Sequence, residues 1–222
     1  MRRKRIVSLF LTLVMLCSLL SLQAAAEGNA VLTVESPADA YWIGETFTLK
    51  ADLSNNPGWC NVEIIIDYDN DVLELQSINT SYPVNVPGVG TINAPYLCAT
   101  SVDVNGNPQS AAVAVNRNYR EGKYTDKNYG FLTSAIAADV TVAEGTFFTM
   151  TFKVIGKPAS GSTQVKLIAE QFRNYSGTVT KDMCTTVPGT ITIAKAAMTT
   201  VSATVAQPVK GQPLQTAVTL PS

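Results

Sequence analysis

Cys60 to Glu74 reads CNVEIIIDYDNDVLE, an apolar run that passes directly into four carboxylates within its last nine residues. Strand geometry gives the run two faces, because successive side chains point to opposite sides. A strand from Trp59 to Tyr68 predicts Val62, Ile64, Ile66 and Tyr68 as core, and Trp59, Asn61, Glu63, Ile65 and Asp67 as outward. The outward set mixes an aromatic ring, an aliphatic chain and hydrogen-bonding groups. Those are the ingredients of a protein-binding face with apolar anchors and a polar rim, and equally of a solvated face that tolerates Ile65.

The carboxylates raise calcium and catalysis as competing readings. A helix-loop-helix calcium loop needs D-x-[DN]-x-[DN]-G and a glutamate at its twelfth position. Asp67, Asp69 and Asp71 fit, but Val72 stands in place of the glycine and Ile78 in place of the glutamate. The chain has no histidine, so a Ser-His-Asp triad and a His-ligated zinc are both excluded. A glycosidase needs only two carboxylates at a suitable separation, yet nothing marks one as acid and another as nucleophile. The expectation is a non-catalytic chain without a metal or cofactor of its own.

Outward from this stretch the chain reads as strands and turns. Thr46 to Leu53 alternates polar and apolar residues with period two, as a half-buried strand does. Ala30 to Val34, Ala111 to Val115, Thr146 to Val154, Val165 to Ala169 and Thr190 to Ile193 are further strand candidates. Phe148, Met150 and Phe152 are the expected core side of their strand, with Phe147, Thr149, Thr151 and Lys153 outward unless Phe147 is used internally. Only Ser134 to Ala138 suggests a helical turn. Short strands separated by Gly, Pro and Asn clusters predict an all-β sandwich. Asn116 to Asn128, rich in Asn, Arg, Lys and Tyr, is expected as a long polar connection, solvated unless it carries function.

Composition bounds the setting. Arg2, Arg3, Lys4 and Arg5 precede an uncharged apolar run from Ile6 to Leu22 and then Ala24-Ala25-Ala26, the pattern of a secretory signal peptide spanning 1–26. A secreted, extracellular or cell-surface chain is expected, with no membrane span after cleavage. Four of the 16 basic residues leave with that leader, so 12 basic residues face 17 acidic ones, which argues against a nucleic-acid partner. Cys60, Cys98 and Cys184 remain, an odd count that implies no disulfide framework and fits largely buried thiols. From Ala196 the composition shifts to Thr, Val, Ala, Gln and Pro. Residues 27–195 are thus expected as one domain, and 196–222 as a linker or the start of a further module.

Two segments resemble a known family. Gly58 to Glu74, G-W-C-N-V-E-I-I-I-D-Y-D-N-D-V-L-E, is similar without a gap to the cohesin pattern G-x-x-N-x-D-F-x-Y-x-Y-D-P-x-V-L-E. Glu144 to Val154, E-G-T-F-F-T-M-T-F-K-V, resembles the cohesin stretch D-G-x-F-A-T-I-x-x-K-V, and Pro158 to Gly161 falls where cohesins carry a turn. The resemblance covers roughly Val31 to Ala194, with 79–139 unaligned. It implies a nine-stranded jelly-roll sandwich, related to scaffoldin carbohydrate-binding modules, that binds dockerin modules of polysaccharide-degrading enzymes. Any calcium is then expected on the dockerin. It also implies that Asp69 to Glu74 is a structural turn, and that Asn61 and Glu63 lie on the dockerin-facing strand. Glu63 is longer than the family's Asp, Trp59 and Cys60 replace small or aliphatic residues, and Asn116 to Asn128 resembles an insertion.

The partner-binding candidates are therefore Trp59, Asn61, Glu63 and Ile65. A carbohydrate-binding module of the same fold is the alternative, stacking sugar rings on Tyr119, Tyr124 and Tyr129 if these form a coplanar row. A structural spacer of a surface protein is the third reading.

Overall fold

The computed structural model describes residues 29–102, 107–136, 143–173 and 184–194, with the backbone of two further short strands. The expected leader at 1–26 and most of the expected tail lie outside these residues. The first part of the chain forms β1 (Ala30–Val34), β2 (Ala40–Tyr41), β3 (Thr46–Ser54), β4 (Asn61–Tyr68) and β5 (Leu73–Asn79). Two hairpins follow, β6 (Ser81–Val86) with β7 (Gly90–Pro95) and β8 (Thr100–Val102) with β9 (Pro108–Ser110). Then come β10 (Ala112–Tyr119), β11 (Tyr129–Ala135), β12 (Gly145–Val154), β13 (Ser162–Arg173), β14 (Cys184–Val187) and β15 (Gly189–Ile193). In the tail, β16 (Ser202–Val205) pairs with β17 (Thr216–Thr219).

Two sheets make the sandwich, in the orders β14-β1-β3-β12-β5 and β10-β11-β4-β13-β15-β2. They hold five and six segments rather than the nine strands expected in all. One reason is that β14 and β15 form a single extended run that changes sheets at Pro188; the other is that the two-residue β2 adds an edge. Ser134, expected near a helical turn, lies within β11, whose Leu132 pairs with Ile64 of β4. Burial on the inner side and a partner on each edge override the weak local pattern there.

Strand alternation places the core. Along β3, Phe47, Leu49, Ala51 and Leu53 are buried while the residues between them are exposed until Ser54. Val62, Ile64, Ile66 and Tyr68 of β4 meet them from the opposite sheet, and Phe148, Met150 and Phe152 of the neighbouring β12 complete their own side of the core. The core sides expected for β4 and β12 are the observed ones.

Two aromatics break the expected alternation. Phe147, expected outward, is fully buried because a bulge between Thr146 and Phe148 inserts an extra residue into β12. Trp59, expected on the outer face, is 1% exposed and packs edge-on against Phe147 with centroids 5.4 Å apart. The cause lies one residue earlier. β4 starts only at Asn61, and Gly58 adopts a φ of 94° that a side chain would disfavour. Asn56, itself buried, accepts a hydrogen bond from Gly58 N at 3.0 Å and donates to the Ala143 carbonyl, fixing the turn that sends Trp59 inward.

Cys60, Cys98 and Cys184 are thiols rather than half-cystines. Burial pushes the Cys98 thiol up to about 12 from an ordinary 9, and Cys184 up to about 11. Burial, followed by the hydrogen bond donated to Asp126 and nearby negative charge, raises Tyr129 to about 12 from 10. The unfolded chain therefore releases these protons first as pH rises. Stability from these groups is intact below pH 9, declines above it, and is lost as pH passes through 11 to 12. Urea melts at pH 7, 9 and 10.5 are expected to show a midpoint that is level and then falls, with a shallower fall in Cys98→Ala. A midpoint independent of pH across that range contradicts this assignment.

Candidate partner-binding face

The outer side of the six-stranded sheet carries the residues singled out in the opening stretch. Register places Asn61 between Ala135 and Arg173, Glu63 between Thr133 and Gln171, and Ile65 between Phe131 and Ile168. At the Asn61 end the surface is open. Asn61 and Glu63 are partly exposed, and Ala112, Ala114 and Ala135 are exposed. Asn61 Nδ2 donates to Gln171 Oε1 at 3.3 Å, linking β4 to β13. Three alanines beside short polar chains leave a low, flat surface on which another backbone can approach closely.

The Ile65 end is closed. Tyr119 stacks on Phe131 at 4.6 Å, and the connection 120–128 then folds back over the sheet. Tyr124 sits 5.0 Å from Tyr129 of β11, and its hydroxyl donates to Glu170 of β13. A side chain that touches both β11 and β13 crosses β4, the strand between them. Ile65, on the outward side of β4 as expected, is consequently only 1% exposed. Its availability as an exposed anchor is corrected by that cover.

Several polar contacts hold the connection down. Lys123 Nζ lies 2.8 Å from Glu170 Oε1, and Lys127 Nζ lies 2.5 Å from Asp67 Oδ1 and 2.9 Å from the Tyr68 carbonyl. Asn70 donates to the Asn128 carbonyl and accepts from Asn128 N. The expected solvated insertion is thus shorter than its sequence suggests, since 116–119 belong to β10, and the remainder is fastened to β4, β13 and the turn at Asn70. Glu170 faces outward because β13 bulges between Ala169 and Gln171.

Tyr119, Tyr124 and Tyr129 do not make the coplanar row that sugar stacking requires. Their successive ring planes meet at 51° and 66°, and Tyr129 is buried. The rings pack on each other and, through Tyr119, on Phe131, leaving Tyr119 and Tyr124 only partly exposed.

The acidic cluster resolves into local duties. Asp67 pairs with Lys127, while Asp69 accepts from Asp71 N through Oδ1 and from Val72 N and Leu73 N through its carbonyl. Glu74 lies opposite Lys153 in the β5–β12 ladder. Among the described residues no three His, Cys, Asp or Glu side chains are grouped to hold a metal ion.

Sequence reasoning missed Lys123, Glu170 and Lys127 as the fasteners of this face. One signal was present: apolar residues at Val165, Leu167 and Ala169 are followed by Phe172, so the period-two parity slips where the bulge turns Glu170 outward.

Two packed sheets, one with an open polar strand face, define a jelly-roll sandwich. The cohesin domain family model matches residues 32–193, and the chain belongs to that family. It is 27% identical over 163 residues to cellulose-binding protein A of Clostridium cellulovorans, a match spanning 73% of this chain and 7% of that relative's length. The seventh ScaB type I cohesin of Pseudobacteroides cellulosolvens aligns with a TM-score of 0.51 at 15% identity, covering 76% of this chain and 94% of that one. The third ScaC cohesin of Acetivibrio cellulolyticus, solved in complex with the ScaB dockerin, aligns at 0.49 and 12% identity over 75% and 99% of the two chains.

Proposed function

We propose that this chain is a secreted, non-catalytic docking module that binds a dockerin-bearing partner and thereby helps assemble polysaccharide-degrading enzymes. The observation that carries the reading is the open end of the outer face. Asn61 and Glu63 stand there together, on the strand that carries the family motif, beside Gln171 and a flat alanine-lined margin. Polar side chains held between neighbouring strands suit a partner recognised through hydrogen bonds, with shape supplied by the small residues. The acidic balance of residues 27–222 suits a protein rather than a nucleic-acid partner, and the signal-like first 26 residues support export.

Titration calorimetry of the full chain against a panel of dockerin modules, with and without calcium, tests the reading. Calcium-dependent binding of at least one dockerin is expected. Asn61→Ala combined with Glu63→Ala should weaken it by about thirtyfold or more, the scale of losing a central contact cluster. Affinity unchanged in that double variant overturns this face as the site. Retention on insoluble cellulose or xylan with no dockerin bound overturns the docking function itself.

A further inference from the structure

Within the docking reading, on which this inference rests, one feature limits what the partner can be. The apolar centre of the outer face, Ile65 with Phe131 and Ile168 in register on either side, is present but withheld. Its cover is the chain's own β10–β11 connection, and Tyr124 is the part that crosses β4. Lys123 and Tyr124 converge on the same Glu170 oxygen, so one carboxylate on β13 anchors two consecutive residues of the connection. Lys127 and Asn128 anchor its other end to β4 and to the turn at Asn70. Fastening at both ends distinguishes this segment from a loop that merely rests on a surface.

We propose that residues 120–128 are a built-in cover that selects the partner. With the cover in place, the face accepts a module that engages the polar end around Asn61 and Glu63, and rejects one that must seat an apolar side chain on Ile65. The specificity-determining residues are Tyr124, which occupies that seat, and Glu170, which keeps it there. The chemistry follows from desolvation. A partner's buried apolar anchor finds its pocket filled, whereas polar contacts at the Asn61 end are unaffected by what lies over Ile65.

The test uses the full chain and its Tyr124→Ala/Glu170→Ala variant, with two readouts. Binding of the apolar dye anilinonaphthalene sulfonate reports exposure of the Ile65 surface in the absence of any partner. The dockerin panel reports partner choice. The expected result is a several-fold rise in dye fluorescence with a cooperative thermal transition retained, and at least tenfold tighter binding of one or more dockerins that the unmodified chain rejects. No rise in dye binding overturns the cover. A rise with an unchanged dockerin profile overturns it as a selector.

If neither form binds any dockerin, the docking reading fails and the dye alone decides whether the segment seals an apolar surface. If the double variant does not fold, Tyr124→Phe replaces it, since it keeps the ring and removes only the hydroxyl that reaches Glu170. Amide hydrogen exchange across 120–128 is then the readout. Faster exchange confined to that segment supports the fastening, and an unchanged pattern refutes it.

Discussion

Trp59→Ala is expected to destabilise the fold by about 3–5 kcal/mol, the range for removing a buried aromatic side chain and leaving its cavity. Trp59 is 1% exposed and meets Phe147 edge-on, with planes at 82°. Such a pair contributes about 0.5–1.5 kcal/mol beyond the area it buries. The surroundings have little freedom to collapse into the space, because Phe147 is itself held by the β12 bulge and the turn before Trp59 is tied by Asn56. Urea unfolding followed by far-ultraviolet circular dichroism measures the effect, with a lower midpoint and an unchanged slope expected. A surface tryptophan gives the opposite pattern, with stability nearly unchanged and partner binding reduced. That outcome would return Trp59 to the outer face.

Gly156→Ala comes next in size. A Cβ at Gly156 would lie 1.9 Å from the backbone oxygen of Asp71, a contact that only backbone movement can relieve. The same junction holds two hydrogen bonds, from Ile155 N and Gly156 N to the Val72 carbonyl at 2.9 and 3.2 Å. Moving either segment strains both bonds and lifts the turn at Asp69 away from the end of β12. Overpacking of this kind costs about 1–3 kcal/mol, and the backbone character of the clash puts the expectation at the upper end. Gly161→Ala, where a Cβ meets nothing within 4 Å, is the control for φ alone, since that glycine adopts a φ of 79°. Thermal melts of the two variants should place Gly156→Ala well below Gly161→Ala. Equal melting temperatures would show that the junction yields freely.

Much of this architecture is legible in the residues. The alternation of β3 and the inner set of β4 are written as a period of two, because one side of each strand faces the core and the other does not. The Asn61 and Glu63 end of the outer face follows from the same parity. What escapes is wherever the parity is reset. Gly58 and the bulge at Phe147 each shift the chain by one residue, so Trp59 and Phe147 change sides for reasons that need a neighbouring strand to be seen. Ile65 escapes differently. Its parity is right, but its burial depends on Tyr124 and Glu170, which arrive far later in the chain, and no local pattern encodes a cover supplied from elsewhere. The β6–β7 and β8–β9 ribbons pair only within themselves rather than joining either main sheet, so no alternation of a half-buried strand announces them.

The parallel pairing of β1 with β14, Ala30 opposite Cys184, ties the beginning of the sandwich to nearly its last strand. β1, made early in synthesis, therefore waits for a strand that begins only at Cys184 before that edge is satisfied. The central pairings repeat the demand, since β3 needs β12 and β4 needs β13. A topology dominated by such distant partners folds slowly, on the scale of milliseconds to seconds, because chain entropy is lost before the contacts that offset it can form. The sandwich therefore cannot close before β14 is made, and until then β1 keeps one edge open while β3 holds the other.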